Sequence, residues 1–138
     1  MRYFIVDAFT DVLFSGNPAG VCLLDNWLST EMMQCIAREN NLSETAFILK
    51  DDNEWHIRWF TPAFEIDLCG HATLASGFVV LNYVQPGTEC VRFASQSGPL
   101  AVMRQGKRYV LDFPARPPVL IPTPGDALLY LEGSLHII

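Results

Sequence analysis

Basic residues are scarce in this chain. Lys and Arg together number 9 among 138 residues, against 15 Asp and Glu, which gives a net charge of −6. The basic residues form no stripe or cluster of the kind that neutralises nucleic-acid phosphates or an anionic lipid surface. We therefore expect neither a nucleic acid nor a membrane as a partner, and we interpret the acidity as charge that favours solubility.

Long apolar runs and paired cysteines are also missing. No stretch approaches the ~20 apolar residues of a membrane-spanning helix, and the opening MRYFIVDAFT lacks the apolar region and cleavage site of a secretion signal. The four cysteines are scattered and form no Cys-x-x-Cys pair, which argues against a zinc knuckle or a thioredoxin-like motif. The sequence thus predicts free thiols, a cytoplasmic location, and neither a metal nor another cofactor.

The composition is that of one well-packed domain, since half of the residues are hydrophobic and only 17% are charged. A capped amphipathic helix is predicted for residues 30–40. A second helix, over residues 71–83, carries no charge on any face, so other elements must enclose it. The remaining segments are mostly short and strand-like, for example 2–9 and the hairpin 45–60. We therefore predict an α+β fold, with a mixed or antiparallel sheet curled as a barrel around the apolar helix.

Proline dominates one segment near the end of the chain. Residues 114–124, PARPPVLIPTP, contain five prolines and can form neither a helix nor a central strand. We predict a connector there, followed by closing strands within residues 126–138 that return to pair with the main sheet. Residues 1–138 would then form a single domain.

The first candidate for chemistry is Glu44, in the stretch NLSETAF. Ser43 and Thr45 flank it, and apolar residues follow, so its carboxylate is expected to be partly desolvated. Desolvation raises a carboxyl pKa toward neutrality and suits the group to general acid–base work. The alternative is a structural glutamate at a strand entrance, hydrogen-bonded to a turn.

The second candidate is the stretch DLCGHAT, at the start of the apolar helix. The first N–H groups of a helix have no internal partners and can bind a carboxylate, and Gly70 lets a ligand approach the backbone closely. His71 is expected to be neutral near the positive end of the helix dipole. Cys69 could be a thiolate for the same reason. The alternatives are a structural cap for His71 and a small core residue for Cys69; with these two alone, no third metal ligand is evident.

The third candidate is Asn17, in the segment Gly16–Gly20. This segment is predicted to be a loop that presents an amide and bare backbone to a ligand. No Gly-Lys-Ser/Thr follows, so it is not a phosphate loop. An ordinary turn is the alternative.

Taken together, these motifs resemble one known family. The segments DAFTDVLFSGNPAGV, MQCIARENNLSETAFI, IRWFTPAFEIDLCGHATLAS and LDFPA follow one another as in the PhzF (phenazine-biosynthesis-like) family, which is similar to diaminopimelate epimerase. The resemblance covers residues 3–115 and implies a barrel-like sheet wrapped around a central helix. In that family two such domains face each other, and the active site lies between them.

The resemblance also implies roles for individual residues. The glutamate of the SET motif, here Glu44, is the family's acid/base, and the histidine of GHAT, here His71, lies beside it. The family's substrate pocket is lined at the positions of Asn17, Gly70 and Thr73. In the related epimerases a thiol at the position of Cys69 is a catalytic base; here we retain Cys69 as a pocket residue at most.

One departure from the family is its length. Members are about twice as long, and the GDPATGSA-like loop of their second domain has no counterpart here, whereas GDALLYLEGSLHII resembles their far C-terminus. The sequence therefore predicts an isomerase or epimerase that moves a C–H proton on a small cyclic carboxylate, as a homodimer whose second copy completes the cleft. The alternative is a non-catalytic binding or structural remnant of the family.

Overall fold

The computed structural model describes residues 1–114 of the chain. They form eight strands, two α-helices and one π-helical turn. In chain order these are β1 (Arg2–Ala8), β2 (Asn17–Leu24), α1 (Thr30–Asn40), β3 (Glu44–Asp51), β4 (Glu54–Phe60), β5 (Glu65–Ile66), α2 (Gly70–Val79), the π turn (Val80–Val84), β6 (Cys90–Ser95), β7 (Gly98–Gln105) and β8 (Arg108–Asp112). The predicted connector beyond Pro114 and the predicted closing strands 126–138 lie outside the described residues.

All eight strands belong to one mixed sheet. Its order is β1-β2-β3-β4-β6-β7-β8, and the short β5 pairs with β4. The β2–β3 and β4–β6 pairs are parallel, and the other pairs are antiparallel. Each parallel pair is joined through a helix, α1 in the first case and α2 in the second. The curled mixed sheet confirms the predicted α+β fold class.

The sheet encloses α2 as predicted from its apolar sequence. Side chains from β2, β3, β4, β6 and β7 form one core with Ala72, Ala75 and Val79 of this helix. A smaller core on the opposite face packs α1 through Met33 and Ala37. The helix starts one residue earlier than predicted, and its predicted last turn is a wider π turn.

The expectation of a loop over Gly16–Gly20 is wrong, because β2 begins at Asn17. Pro18 is tolerated there because the pairing of β2 with β3 starts only at the next residue, Ala19, opposite Glu44. At Pro18 the strand β2 is therefore paired on one side only, with Asp7 of β1, and such an edge-like position accepts proline. Gly20 is closely packed, since a Cβ atom there would lie 3.1 Å from the Tyr3 hydroxyl.

The described residues include no helix with the length and apolar character needed to cross a bilayer. All four cysteines lie in this part of the chain, and all are free. This agrees with the predicted unpaired thiols.

Candidate active site

Glu44 is the first residue of β3, and its position follows from how α1 ends. Asn41 adopts a left-handed backbone with φ of 51° and caps α1 by donating its N–H to the Ala37 carbonyl. β3 begins three residues later, at Glu44. Strand side chains alternate between faces, so Glu44 lies on the same face as Ala46 and Ile48, which pack against α2. The carboxylate therefore lies on the α2 side of the sheet.

His71 meets this carboxylate from the start of α2. Its Nε2 lies 3.2 Å from Oε2 of Glu44 and 3.4 Å from Oγ of Ser43. The side chains of His71 and Glu44 are only 10% and 19% exposed. The predicted proximity of the two residues is thus present in the structure, in a largely desolvated setting.

Cys69 lies on the other side of the same imidazole. Its Sγ is 3.4 Å from Nδ1 of His71, and the residue is buried. The ring of His71 is consequently held between a thiol at Nδ1 and a carboxylate at Nε2. Ser43, which sequence reasoning treated only as a neighbour of Glu44, is a fourth member of this cluster. The sequence signal that could have indicated this is its place next to Glu44 in a tight turn.

Burial sets the protonation of the two α2 residues. It lowers the pKa of His71, and the nearby Glu44 charge offsets only part of this effect. The imidazole is therefore neutral at pH 7, as predicted. Burial raises the pKa of Cys69 to about 11, and the backbone N–H groups of Ala72 and His71 counteract this only in part. Of the two alternatives for Cys69, this favours the buried core thiol over the thiolate, because desolvation outweighs the helix start.

Thr73 and Gly70 occupy different settings near the helix start. Thr73 is fully buried, and its hydroxyl donates to the Cys69 carbonyl at 2.5 Å, so the structure shows it holding the first turn of α2. Gly70 is partly exposed, and a Cβ atom there would meet only the Phe113 ring, at 3.8 Å. The backbone at Gly70 is thus approachable, whereas a substrate contact at Thr73 stays a prediction.

Asn17 lies at the same end of the sheet as Glu44. It is exposed, pairs with Ala8 of β1, and shares a face with Ala19, the residue opposite Glu44 in the β2–β3 register. Its amide is therefore on the α2 side of the sheet, beyond the carboxylate. Its contact with a substrate stays a prediction.

Glu44, Cys69 and His71 also form a set of metal-ligand types, with one atom from each lying within 4.8 Å of the others. Glu44 is thus a third residue of ligand type beside Cys69 and His71, which the sequence alone did not make evident. Thiolate, imidazole and carboxylate are ligands that Zn²⁺ accepts. However, the thiol and the carboxylate face different nitrogens of one ring, and a single ion cannot bond both nitrogens. The present arrangement therefore fits hydrogen bonding better than metal ligation.

Comparison with known proteins places these residues in a family context. The family model described as phenazine biosynthesis-like protein, PhzC-PhzF, matches residues 6–130. A Pseudomonas aeruginosa protein described as an uncharacterized isomerase is 52% identical over 133 residues, covering 96% of this chain and 51% of that protein. A human phenazine biosynthesis-like domain-containing protein is 50% identical over 122 residues, covering 83% of this chain and 42% of its own length.

Solved structures agree in fold. The crystal structure of a PhzF-family protein from Enterococcus faecalis superposes with a TM-score of 0.81 at 53% identity, covering 92% of this chain and 49% of that one. A Pseudomonas aeruginosa protein described as a predicted epimerase has a TM-score of 0.66 at 25% identity, covering 78% of this chain and 40% of that one. The chain spans about half the length of the curated relatives that it matches. It belongs to the PhzF, or phenazine biosynthesis-like, family.

Proposed function

We propose that this chain provides half of the active site of an isomerase that moves a C–H proton on a small cyclic carboxylate. The observation that carries the proposal is the Glu44 carboxylate, 19% exposed and held 3.2 Å from the imidazole of His71 at the start of a buried helix. A lone glutamate serving only solubility would lie in water. The name isomerase given to a relative with 52% identity supports the same reaction class.

In the proposed reaction Glu44 acts as both base and acid. The C–H bond of the substrate breaks, the proton goes to a carboxylate oxygen of Glu44, and the electron pair delocalises into the substrate; the proton then returns at another carbon. His71 keeps the carboxylate in place from Nε2. The positively polarised start of α2 binds the substrate carboxylate beside Gly70, with the Asn17 amide as a further contact. No cofactor takes part.

A second copy of the chain is proposed to close the cleft. The loop between β1 and β2, residues 9–16, lies at the Glu44 end of the sheet and exposes large apolar side chains, with Leu13 and Phe14 exposed by 79% and 93%. Such a loop is suited to association. Two surface cavities of about 370 and 390 Å³ are lined elsewhere, for example by Trp27 and Trp55. In this proposal the second copy supplies a further wall around a substrate at Glu44.

The organisation of residues 1–138 as one domain, with closing strands at 126–138, is part of the same proposal. So is a cytoplasmic location. Hydrogen exchange tests the closing strands, because ladder hydrogen bonds protect amides. Amides in 126–138 that exchange as fast as those of a free peptide would contradict this organisation.

The function is tested by deuterium incorporation from heavy water. The chain is incubated with a panel of cyclic amino-acid carboxylates that includes the dihydro-hydroxyanthranilate implied by the family, and the mass of each compound is followed. We expect Glu44→Gln to lower the exchange rate by about 10²- to 10⁴-fold, the usual contribution of a general acid–base. The matched control is Asp51→Asn at the exposed far end of the same strand, which should retain the rate.

Full activity in Glu44→Gln would refute the assignment. Light scattering on a size-exclusion column tests the second copy: a dimer has twice the 15.5 kDa chain mass. A monomer that exchanges deuterium would refute the composite cleft alone. A monomer without exchange on any compound would favour the non-catalytic remnant instead.

A further inference from the structure

We propose that Cys69 is a positioning residue whose thiol hydrogen fixes His71 in the tautomer that carries its hydrogen on Nε2. The thiol would donate to Nδ1, and Nε2–H would donate to Glu44. Only the consequence for catalysis rests on the proposed function; the tautomer itself is a property of the free chain.

The argument starts from the different partners of the two ring nitrogens. A neutral imidazole has one N–H donor and one bare acceptor nitrogen. Nδ1 faces the Cys69 sulfur at 3.4 Å, and Nε2 faces the Glu44 oxygen at 3.2 Å. An ionised carboxylate only accepts hydrogen bonds, whereas a neutral thiol can donate one. The pairing that satisfies every group is therefore S–H to Nδ1 and Nε2–H to carboxylate.

The opposite tautomer is disfavoured at both ends of the ring. A hydrogen on Nδ1 would leave the lone pair of Nε2 against the negative oxygen of Glu44, in a site where burial strengthens the repulsion. Ser43 lies on the Nε2 side, at 3.4 Å, so its hydroxyl does not supply a donor for Nδ1. The buried thiol, kept protonated by its raised pKa, is therefore the group that can do so.

This arrangement has a consequence for the proton that Glu44 receives. Because Nε2 already carries a hydrogen, His71 cannot take a proton from the carboxyl group at that nitrogen. The new O–H bond is then expected on the Glu44 oxygen that faces away from His71. The proton then leaves Glu44 through that oxygen, to the substrate or to solvent, and not through His71.

The test reads the tautomer of His71 directly, by ¹⁵N NMR of its ring nitrogens at neutral pH without substrate. Glu44 also favours the Nε2–H form, so its influence is removed with Glu44→Gln, whose amide can either donate or accept. We expect the Nε2–H form to persist in Glu44→Gln. Adding Cys69→Ala should lower the ratio of the Nε2–H to the Nδ1–H tautomer about tenfold, which corresponds to the free energy of one hydrogen bond. Cys69→Ser in the same background should restore this ratio, because a hydroxyl can donate a hydrogen bond to Nδ1.

The control is His56 on β4, whose Nε2 lies 3.6 Å from Oε2 of Glu54 on the same strand. Its ¹⁵N signals should not respond to changes at Cys69. Backbone amide spectra verify that each variant is folded; if Cys69→Ala does not fold, the Cys69→Ser and Glu44→Gln spectra still decide. The proposal is overturned if Glu44→Gln alone loses the Nε2–H form. It is also overturned if adding Cys69→Ala to Glu44→Gln leaves the population of the Nε2–H form unchanged. Neither result depends on turnover, so failure of the isomerase assay would not imitate failure here.

Discussion

Gly77 is the closest point of contact between α2 and the sheet that encloses it. A Cβ atom built at this residue would lie 2.4 Å from Cγ1 and 2.5 Å from Cβ of Val102 on β7. Val102 is fully buried and β-branched, so its χ1 rotation is restricted, and rotation would in any case leave its Cβ atom in place. We therefore predict that Gly77→Ala destabilises the fold, although alanine is the better helix former.

The expected magnitude is the difference between two opposing effects. Replacing an interior helical glycine by alanine stabilises a helix by about 1 kcal/mol. Forcing a methyl group into a packed core costs about 1–3 kcal/mol, and the short contact with Val102 puts this case at the upper end. The net loss is then about 2 kcal/mol, which for a chain of this length lowers Tm by about 7 °C.

Urea unfolding followed by circular dichroism measures this loss. Gly70→Ala is the matched control in the same helix, because a Cβ atom there reaches only the Phe113 ring, at an ordinary 3.8 Å; it should be neutral or slightly stabilising. In a Val102→Ala background, Gly77→Ala should destabilise less, because the two Cγ contacts are removed and only the Cβ contact at 2.5 Å remains. A stability of Gly77→Ala equal to or above that of the original chain would refute the reasoning.

Three further predictions concern protonation and capping. The raised pKa of Cys69, about 11 against 9.0 when unfolded, means that stability present below pH 9 is lost as pH rises toward 11, by about 3 kcal/mol; Cys69→Ala should remove this loss in urea titrations at pH 8 and 11. The lowered pKa of His71 makes stability change with pH in the opposite direction, so the contribution of the neutral imidazole to folding stability is lost as pH falls below 6.5. His71→Gln should therefore reduce the change in the urea midpoint between pH 7 and pH 5. Ser29→Ala removes the cap that accepts the Met32 N–H at 3.2 Å and should cost about 1 kcal/mol by thermal unfolding, whereas no change would contradict the capping role.

Local patterns were sufficient for most elements of the fold. The α1 helix has a side-chain cap at Ser29 and ends at Asn41, and both signals are visible in the sequence. The absence of charge from α2 predicted its enclosure, because an uncharged helix in water would expose apolar surface. The start of β2 could not be predicted in this way. Whether Pro18 breaks a strand depends on where the neighbouring β3 begins, which is a tertiary property.

The candidate site was predictable in its members but not in its chemistry. Family resemblance selected Glu44 and His71, and the structure brings their side chains together. The protonation of Cys69 was left open between a thiolate and a buried thiol, because a position at the start of a helix is visible in the sequence and burial is not. The contact from Cys69 to Nδ1, which gives the imidazole ring its direction, required coordinates.

The contact at Gly77 also bears on the site at the other end of α2. Gly77 lies six residues from His71, about 9 Å along a rigid helix. If the helix relieves the clash of Gly77→Ala by moving about 1 Å, the 3.2 Å contact between His71 and Glu44 would lengthen beyond hydrogen-bond range. We therefore expect Gly77→Ala to change the ¹⁵N signals of His71 and to slow any exchange reaction that depends on Glu44, while the fold persists. Unchanged His71 signals in a destabilised Gly77→Ala variant would mean that the sheet, and not α2, moves to accommodate the methyl group.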